Sequence, residues 1–197
     1  MRYDAEHRGK TREKILKEAA TAIRARGPEG VGVAALMKQA GLTHGGFYAH
    51  FGSKDALVAE AIGVMFEEAR NRFDWTLAEA DPRAALDKYV GFYLSPVHRD
   101  ARGRGCPIAA LSGDMARLEP AARERFAKGS TALAQRLGEA LARHGIANAP
   151  AAGRSMLAEL VGALLLSRTV TDAAESDAIL ADSAAAIRAR YGLEAAQ

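Results

Sequence analysis

The 197-residue chain has one cysteine, Cys106. That excludes an internal disulfide and fits a reducing cytoplasm. No stretch of about 18 uncharged apolar residues occurs, so no membrane span is expected. The run from Leu157 to Leu166 is interrupted by Glu159. The opening Met1-Arg-Tyr-Asp-Ala-Glu-His-Arg8 is charged and lacks the apolar segment of an export signal. Strand-type runs are scarce, and neither an internal repeat nor a low-complexity linker is found. Catalytic signals are missing too. The five histidines at 7, 44, 50, 98 and 144 are scattered, and no Glu-x-x-His pair exists for a carboxylate-bridged metal. There is no phosphate loop and no nucleophile elbow, and Gly103-Arg-Gly105 alone is too little. The sequence therefore predicts no enzyme, no bound metal and no cofactor.

What is present is helix-forming. Ala and Leu dominate, and apolar residues recur at helical spacing. The net charge is only +3, but it is unevenly placed. Residues 1–54 carry ten Lys/Arg against five Asp/Glu, while residues 55–197 carry seventeen against nineteen. A small basic unit joined to a slightly acidic one points to a polyanionic partner for the first.

Val31 to Phe51 organises the chain. It reads as two short helices joined at Gly41, which suits the left-handed residue that ends a helix. Thr43 is expected to cap the second helix through its hydroxyl. Leu36, Ala40, Leu42, Phe47 and Phe51 form one apolar set, leaving His44, Gly45, Gly46, Tyr48 and His50 on the outer side. This is the layout of a helix-turn-helix, whose second helix enters a DNA major groove by its N-terminal residues. Gly45 and Gly46 lower helix stability, and close backbone approach to a duplex would explain them.

Ala40-Gly-Leu-Thr-His-Gly-Gly-Phe-Tyr-Ala-His-Phe-Gly-Ser-Lys-Asp-Ala-Leu57 strongly resembles the TetR/AcrR family of transcriptional repressors. Their pattern is close to A-G-V-S-x-G-x-x-Y-x-H-F-x-S-K-x-x-L. The likeness is specific over about Thr11 to Leu57. The chain departs from the pattern at Gly32, where Ser or Thr usually caps, at Met37, where Ala is usual, and at Gly46, which replaces a residue that often touches DNA. The resemblance implies a DNA-binding set of Thr43, His44, Gly45, Gly46, Tyr48, His50 and Lys54. It also implies a two-fold homodimer, double-stranded operator DNA as partner, and a small-molecule inducer bound between the later helices.

Upstream, residues 1–10 read as a frayed basic arm and about Thr11 to Arg26 as a first helix ended by Gly27-Pro28. Lys10, Arg12, Lys14 and Lys17 are candidate phosphate contacts, of which one or two are expected to act. Downstream, Ser53 caps a helix that leaves the basic unit. Asp81-Pro82 opens the next, and Ser95-Pro96 ends or kinks it. His98 to Gly105 reads as a polar loop, and helices are expected near 120–144, 149–172 and 176–191. The last two are apolar on more than one side, as a dimer-forming four-helix bundle requires.

The expected fold is all-α. A three-helix helix-turn-helix domain spans 1–52, and a helical ligand-binding and dimerisation domain spans 53–197, linked by the helix 53–73. Candidate ligand-binding residues are Phe66, Tyr89, Phe92, Tyr93, Cys106, Met115 and Met156, the large or soft side chains of the second domain. Cys106 has two readings. Its place at a helix start after Arg102 and Arg104 favours the reactive thiolate, whereas a small buried residue in a tight turn is inert. Two other functions compete with a ligand-released repressor: an architectural DNA-binding protein without a ligand, and a helical-bundle enzyme or carrier with a vestigial motif.

Overall fold

The computed structural model describes residues 2–194, with side chains from Glu6 to Glu194. Among the described residues there are helices and turns and no strand. The first helix, α1, runs from Arg2 to Arg26, so the expected frayed arm is helical instead; Met1 lies outside the described residues. Two features support the extension. Glu6 pairs with Lys10 and Glu13 with Lys17, each with the acid four residues N-terminal, the better orientation on a helix. Arg8 also donates to the carbonyl of Ala49, docking the early turns onto the outer segment of the motif. Gly27, at φ +74°, closes α1 with its N–H on the Ile23 carbonyl.

α2 spans Val33–Gln39 and starts from Gly32 with no side-chain cap. It ends in a Schellman motif. The Leu42 N–H reaches the Met37 carbonyl at 2.8 Å, the Gly41 N–H reaches Lys38 at 3.0 Å, and Gly41 sits at φ +74°. α3 spans Lys54–Thr76, and the Ser53 hydroxyl accepts from Ala56 N–H at 3.0 Å. α4 covers Pro82–Tyr93 under an Asp81 cap. α5 covers Pro96–Asp100, capped by Ser95 on the His98 N–H. His98 is therefore a buried helical residue and not part of a polar loop. A single tight turn at Arg102–Arg104 leads to α6, Pro107–Leu111.

α7 spans Pro120–Arg143, α8 Ala149–Ser167 and α9 Ala173–Tyr191. α8 is shorter and α9 longer than expected. The Asp172 carboxylate accepts from the Glu175 N–H at 2.8 Å and starts α9 one turn early. α7 and α8 cross at glycine on glycine. A Cβ on Gly153 would lie 2.5 Å from the Gly138 nitrogen and 2.6 Å from the Ala134 carbonyl oxygen. α3 packs along α7 with the Phe66 ring pressed on Gly129, so closely that a Cβ there would overlap it.

α8 is long and apolar enough to cross a membrane by length and composition alone. Here Met156, Leu157, Leu160, Ala163 and Leu164 are buried among neighbouring helices. The outward apolar residues are Leu165 and, most openly, Leu166 at 59% exposure. Ala163 and Leu164 thus belong to the protomer's own core, and Gly153 serves α7 packing inside the protomer.

Candidate nucleic-acid interface and inner cavity

The outer segment of the helix-turn-helix, His44–Ala49, is a 3-10 helix. Its bonds are of the tighter type, Gly46 N–H to Thr43 O at 3.1 Å and His50 N–H to Phe47 O at 2.9 Å. The Thr43 hydroxyl makes no capping bond, contrary to expectation. Two successive glycines give little reason to wind a wider α turn, so the first amides are not aimed at that hydroxyl. Phe47 and Phe51 anchor the segment, stacked with centroids 5.6 Å apart and both buried. Opposite them, Thr43, His44, Gly45 and Tyr48 face outward, and Tyr48 is 70% exposed with its ring edge-on to Phe47.

Gly46 is half-buried over Met37, whose Cε would lie 3.7 Å from an added Cβ. The large side chain in α2 is thus accommodated by the small residue opposite it. His50 is half-buried. Its Nδ1 is buried without a hydrogen-bond partner among the described residues. Burial, with help from Arg8 and Arg12, holds its pKa below the ordinary value.

The basic residues of α1 are not equally available. Arg12 forms an ion pair with Glu60 at 2.5 Å, donates to the His50 carbonyl and lies over the Phe51 ring. Lys10 and Lys17 pair within α1. Lys14 reaches over Gly41, beside the turn of the motif. Lys54 is half-buried and 3.8 Å from Glu29, a loose pair. Its place in the first turn of α3 opposes the helix dipole, and a phosphate there would relieve the conflict.

An added Cβ at Gly45 would touch nothing within 4 Å, and its backbone is not left-handed. Gly45→Ala is therefore expected to raise thermal stability by about 0.5–1 kcal/mol. The same methyl would hold a duplex away, so operator affinity should fall. A variant more stable and equally tight in DNA titration would remove the close-approach explanation for this glycine.

α1 is tied directly to the later helices by Arg24, which is almost fully buried. Its guanidinium pairs with Glu68 on α3 and donates to the Gly103 carbonyl at 3.0 Å. Gly103 packs so closely on α1 that an added Cβ would lie 3.2 Å from the Thr21 methyl. The turn 102–104 therefore touches α1 at one end and runs into Cys106 at the other.

Beside Cys106 lies a small void of about 20 Å³. It brings together four of the seven residues named as ligand-binding: Tyr89, Phe92, Tyr93 and Cys106. Phe66 instead lines a separate groove between α3 and α7 with its edge to Phe126. Met115 lies in a turn after α6, and Met156 is wholly buried on another side of α8. Ala69, Arg72, Phe73, His98, Leu133 and Leu157 complete the void and were missed.

His98 organises this wall. The Cys106 N–H donates to its Nε2 at 3.1 Å, so Nδ1 carries the proton and donates to the Tyr93 carbonyl at 2.7 Å. Its ring stacks on Phe92 and meets Tyr93 edge-on. The Cys106 thiol is buried, while Arg102 and Arg104 are exposed, and the helix it precedes has only five residues. These features fit the structural reading of this cysteine.

Burial pushes the His98 pKa down to about 4, against an ordinary value of 6.5. The unfolded chain therefore takes up a proton in that window that the folded chain resists. Stability is expected to be complete above pH 6.5 and to decline as pH falls towards 4. Urea denaturation at pH 7 and pH 5 should show a smaller difference for His98→Gln than for the wild type. An equal difference would place the acid sensitivity elsewhere.

Residues 15–61 match the tetR family of bacterial regulatory proteins. Residues 82–180, half of the chain, match the C-terminal domain of LmrA/YxaF-like transcriptional regulators. The HTH-type transcriptional regulator LmrA of Bacillus subtilis is 29% identical over 108 residues, which cover 54% of this chain and 57% of that relative. Among solved structures, Escherichia coli NemR in its reduced form superposes with a TM-score of 0.81 at 22% identity, over 91% of this chain and 96% of that one. A TetR-family regulator from Cytophaga hutchinsonii gives 0.80 at 18% identity, over 97% and 98%. These two likenesses speak for the fold.

Proposed function

Because the chain belongs to the TetR family of transcriptional regulators, we propose that it is a repressor released from a near-palindromic operator by a small molecule. That it is a DNA-binding transcriptional regulator follows from the family. The observation that supports the mode of binding is the outward group of His44, Gly45 and Tyr48, held on buried Phe47 and Phe51. Side chains with no use in the core are presented together on a rigid anchor, as base and phosphate contacts require. In this reading residues 1–52 bind DNA, residues 53–197 regulate, α3 belongs to both, and the protein acts in the cytoplasm without catalysis. A footprint on DNA from the protein's own promoter region tests it. Protection of a two-fold symmetric site is the expected result, and no protection at low salt would overturn it.

The effector acts on the helices around the inner void. Arg24, Glu68 and Gly103 then carry a change in the Cys106 segment to α1. An effector shifts this equilibrium only by preferring the arrangement that does not bind DNA. Operator and effector must weaken one another by the same factor.

The dimer forms through the outward faces of α8 and α9, where Leu165, Leu166, Ala181 and Ala185 are exposed. Leu166→Glu places a charge on that face without touching the protomer core. It is expected to give monomers in light scattering at micromolar concentration, with melting of the isolated protomer unchanged. A dimer that persists in Leu166→Glu would move the interface elsewhere.

A further inference from the structure

A protein tells one base pair from another through side-chain atoms that donate or accept at base edges, whereas contacts to phosphate and sugar carry no sequence. The outward surface of the helix-turn-helix has few such atoms. At the start of α2 the exposed residues are Gly32, Ala34 and Ala35, which have no polar side-chain atom. Lys38 and Gln39 are exposed in its last turn. The first helix of such a motif crosses the DNA backbone, however, and it is the second that enters the groove. In the outer segment and its cap the exposed positions are Thr43, His44, Gly45, Tyr48 and Ala49. Gly45 and Ala49 again have nothing to read with. A Cβ at half-buried Gly46 would point at Thr43 Oγ1, 3.6 Å away, and Met37 Cε, 3.7 Å away, so that position faces the motif itself.

The polar side chains that remain differ in what they can distinguish. The hydroxyls of Thr43 and Tyr48 each donate and accept, so they fit any base edge or a phosphate. A 3-10 turn takes three residues, which puts Tyr48 on the same side as Gly45. Its ring stands beside bare backbone, where a duplex strand can come close. His44 is the first residue of the segment and is exposed. A neutral imidazole has one N–H and one bare nitrogen that point apart, so a base edge meets one of them at a time. In the field of a polyanion the ring turns its N–H, the positive end, to the groove. Guanine presents two adjacent acceptors there, N7 and O6. Adenine sets a donor beside its N7, thymine has a single acceptor beside a methyl group, and cytosine has only a donor. Guanine is the best match.

Resting on the operator reading above, we propose that His44 is the one side chain of the motif that distinguishes bases by hydrogen bonding, that it selects a guanine, and that the neighbouring base pairs are left unread across Gly45 and Gly46. Each half-site then holds one strongly specified base pair. The rest of the operator preference comes from half-site spacing and from how easily the duplex deforms to meet phosphate contacts such as Tyr48 and Lys54.

The test uses the full-length protein and the DNA that it protects in the footprint. Each base pair is replaced in turn, symmetrically in both half-sites, and affinity is measured by competition at fixed salt. One position per half-site is expected at which loss of guanine weakens binding about tenfold or more, with changes of less than about threefold elsewhere. Replacing that guanine by 7-deazaguanine, which keeps its base pairing and removes N7, should reproduce most of the loss. His44→Ala should bind more weakly, melt like the wild type and become indifferent to that base pair. His44→Asn should move the preference at the same position to adenine, whose N6 and N7 an amide meets together. A second base pair specified as strongly as the first would overturn the proposal. So would a guanine preference that survives in His44→Ala, or a base preference lost in Gln39→Ala. Each of these results would leave the operator reading standing, whereas no protected site at low salt would overturn that reading and this one with it.

Discussion

Alanine at both Tyr48 and Lys54 is expected to lower operator affinity by about thirtyfold or more at moderate salt, and to flatten its salt dependence by one to two phosphate contacts. The two side chains come from different elements, the outer segment of the motif and the first turn of α3, and neither holds the fold together. Tyr48 is 70% exposed and rests only its edge on Phe47. Lys54 has a loose partner at 3.8 Å, Glu29, itself largely in solvent. Surface pairs of this kind contribute at most about 1 kcal/mol, so the double variant should melt close to the wild type. The loss should be uniform across operator variants, because phosphate contacts carry no base information. His44→Ala is the contrasting case, with a change in base preference at one position of each half-site. Unchanged affinity of the double variant in a gel-shift titration at fixed salt would show that the outward face of the motif is not the one that meets DNA.

The largest effect on stability is expected at Gly153. An added methyl would sit 2.5–2.8 Å from Gly138 backbone atoms and 2.6 Å from the Ala134 carbonyl oxygen. These are backbone neighbours in the middle of α7, so no side chain can swing aside. α7 and α8 must separate instead, giving up contact along the broadest helix pairing among the described residues. Gly153→Ala is expected to cost about 3 kcal/mol or more, at the upper end of overpacking effects. Gly162, two and a half turns along the same helix, has open space where its Cβ would be. Gly162→Ala should therefore be neutral or stabilising by up to about 1 kcal/mol, through helix propensity. Urea denaturation of the two variants side by side separates a packing effect from a propensity effect. A Gly153→Ala protein as stable as wild type would mean that the crossing is looser than its geometry implies.

Local chemistry made much of the architecture readable. Gly41 and its Schellman bonds, the Ser53, Asp81 and Ser95 caps and the Gly145 terminus each depend on fewer than seven consecutive residues. The outward set of the motif was readable for the same reason: Phe47 and Phe51, four residues apart, must face inward together. Where an expectation failed, a distant partner decided. The arm expected to fray is held as helix in part by Arg8 reaching Ala49, forty-one residues away.

The ligand residues divided along the same line. Tyr89, Phe92 and Tyr93 share one side of one helix, so their meeting at the void was implied by spacing alone. Phe66 and Phe73 also share a side of α3, but seven residues put them roughly 10 Å apart along the axis. Only Phe73 reaches the void, while Phe66 faces α7. Met156 and Leu157 are adjacent in sequence but roughly 100° apart around α8, and it is Leu157 that lines the void.

The sequence by itself determined several helix caps and stops, which short segment faces outward near the N-terminus, and to which family the chain belongs. Those properties follow from capping groups, left-handed glycines and residues within one or two turns of each other. Only the tertiary structure decided which apolar faces are interior. Leu164 and Leu166 look equivalent in the sequence, yet the first is fully buried and the second is 59% exposed. The close approach of α7 and α8 at Gly138 and Gly153 is tertiary in the same sense, because it depends on backbone brought together from distant parts of the chain.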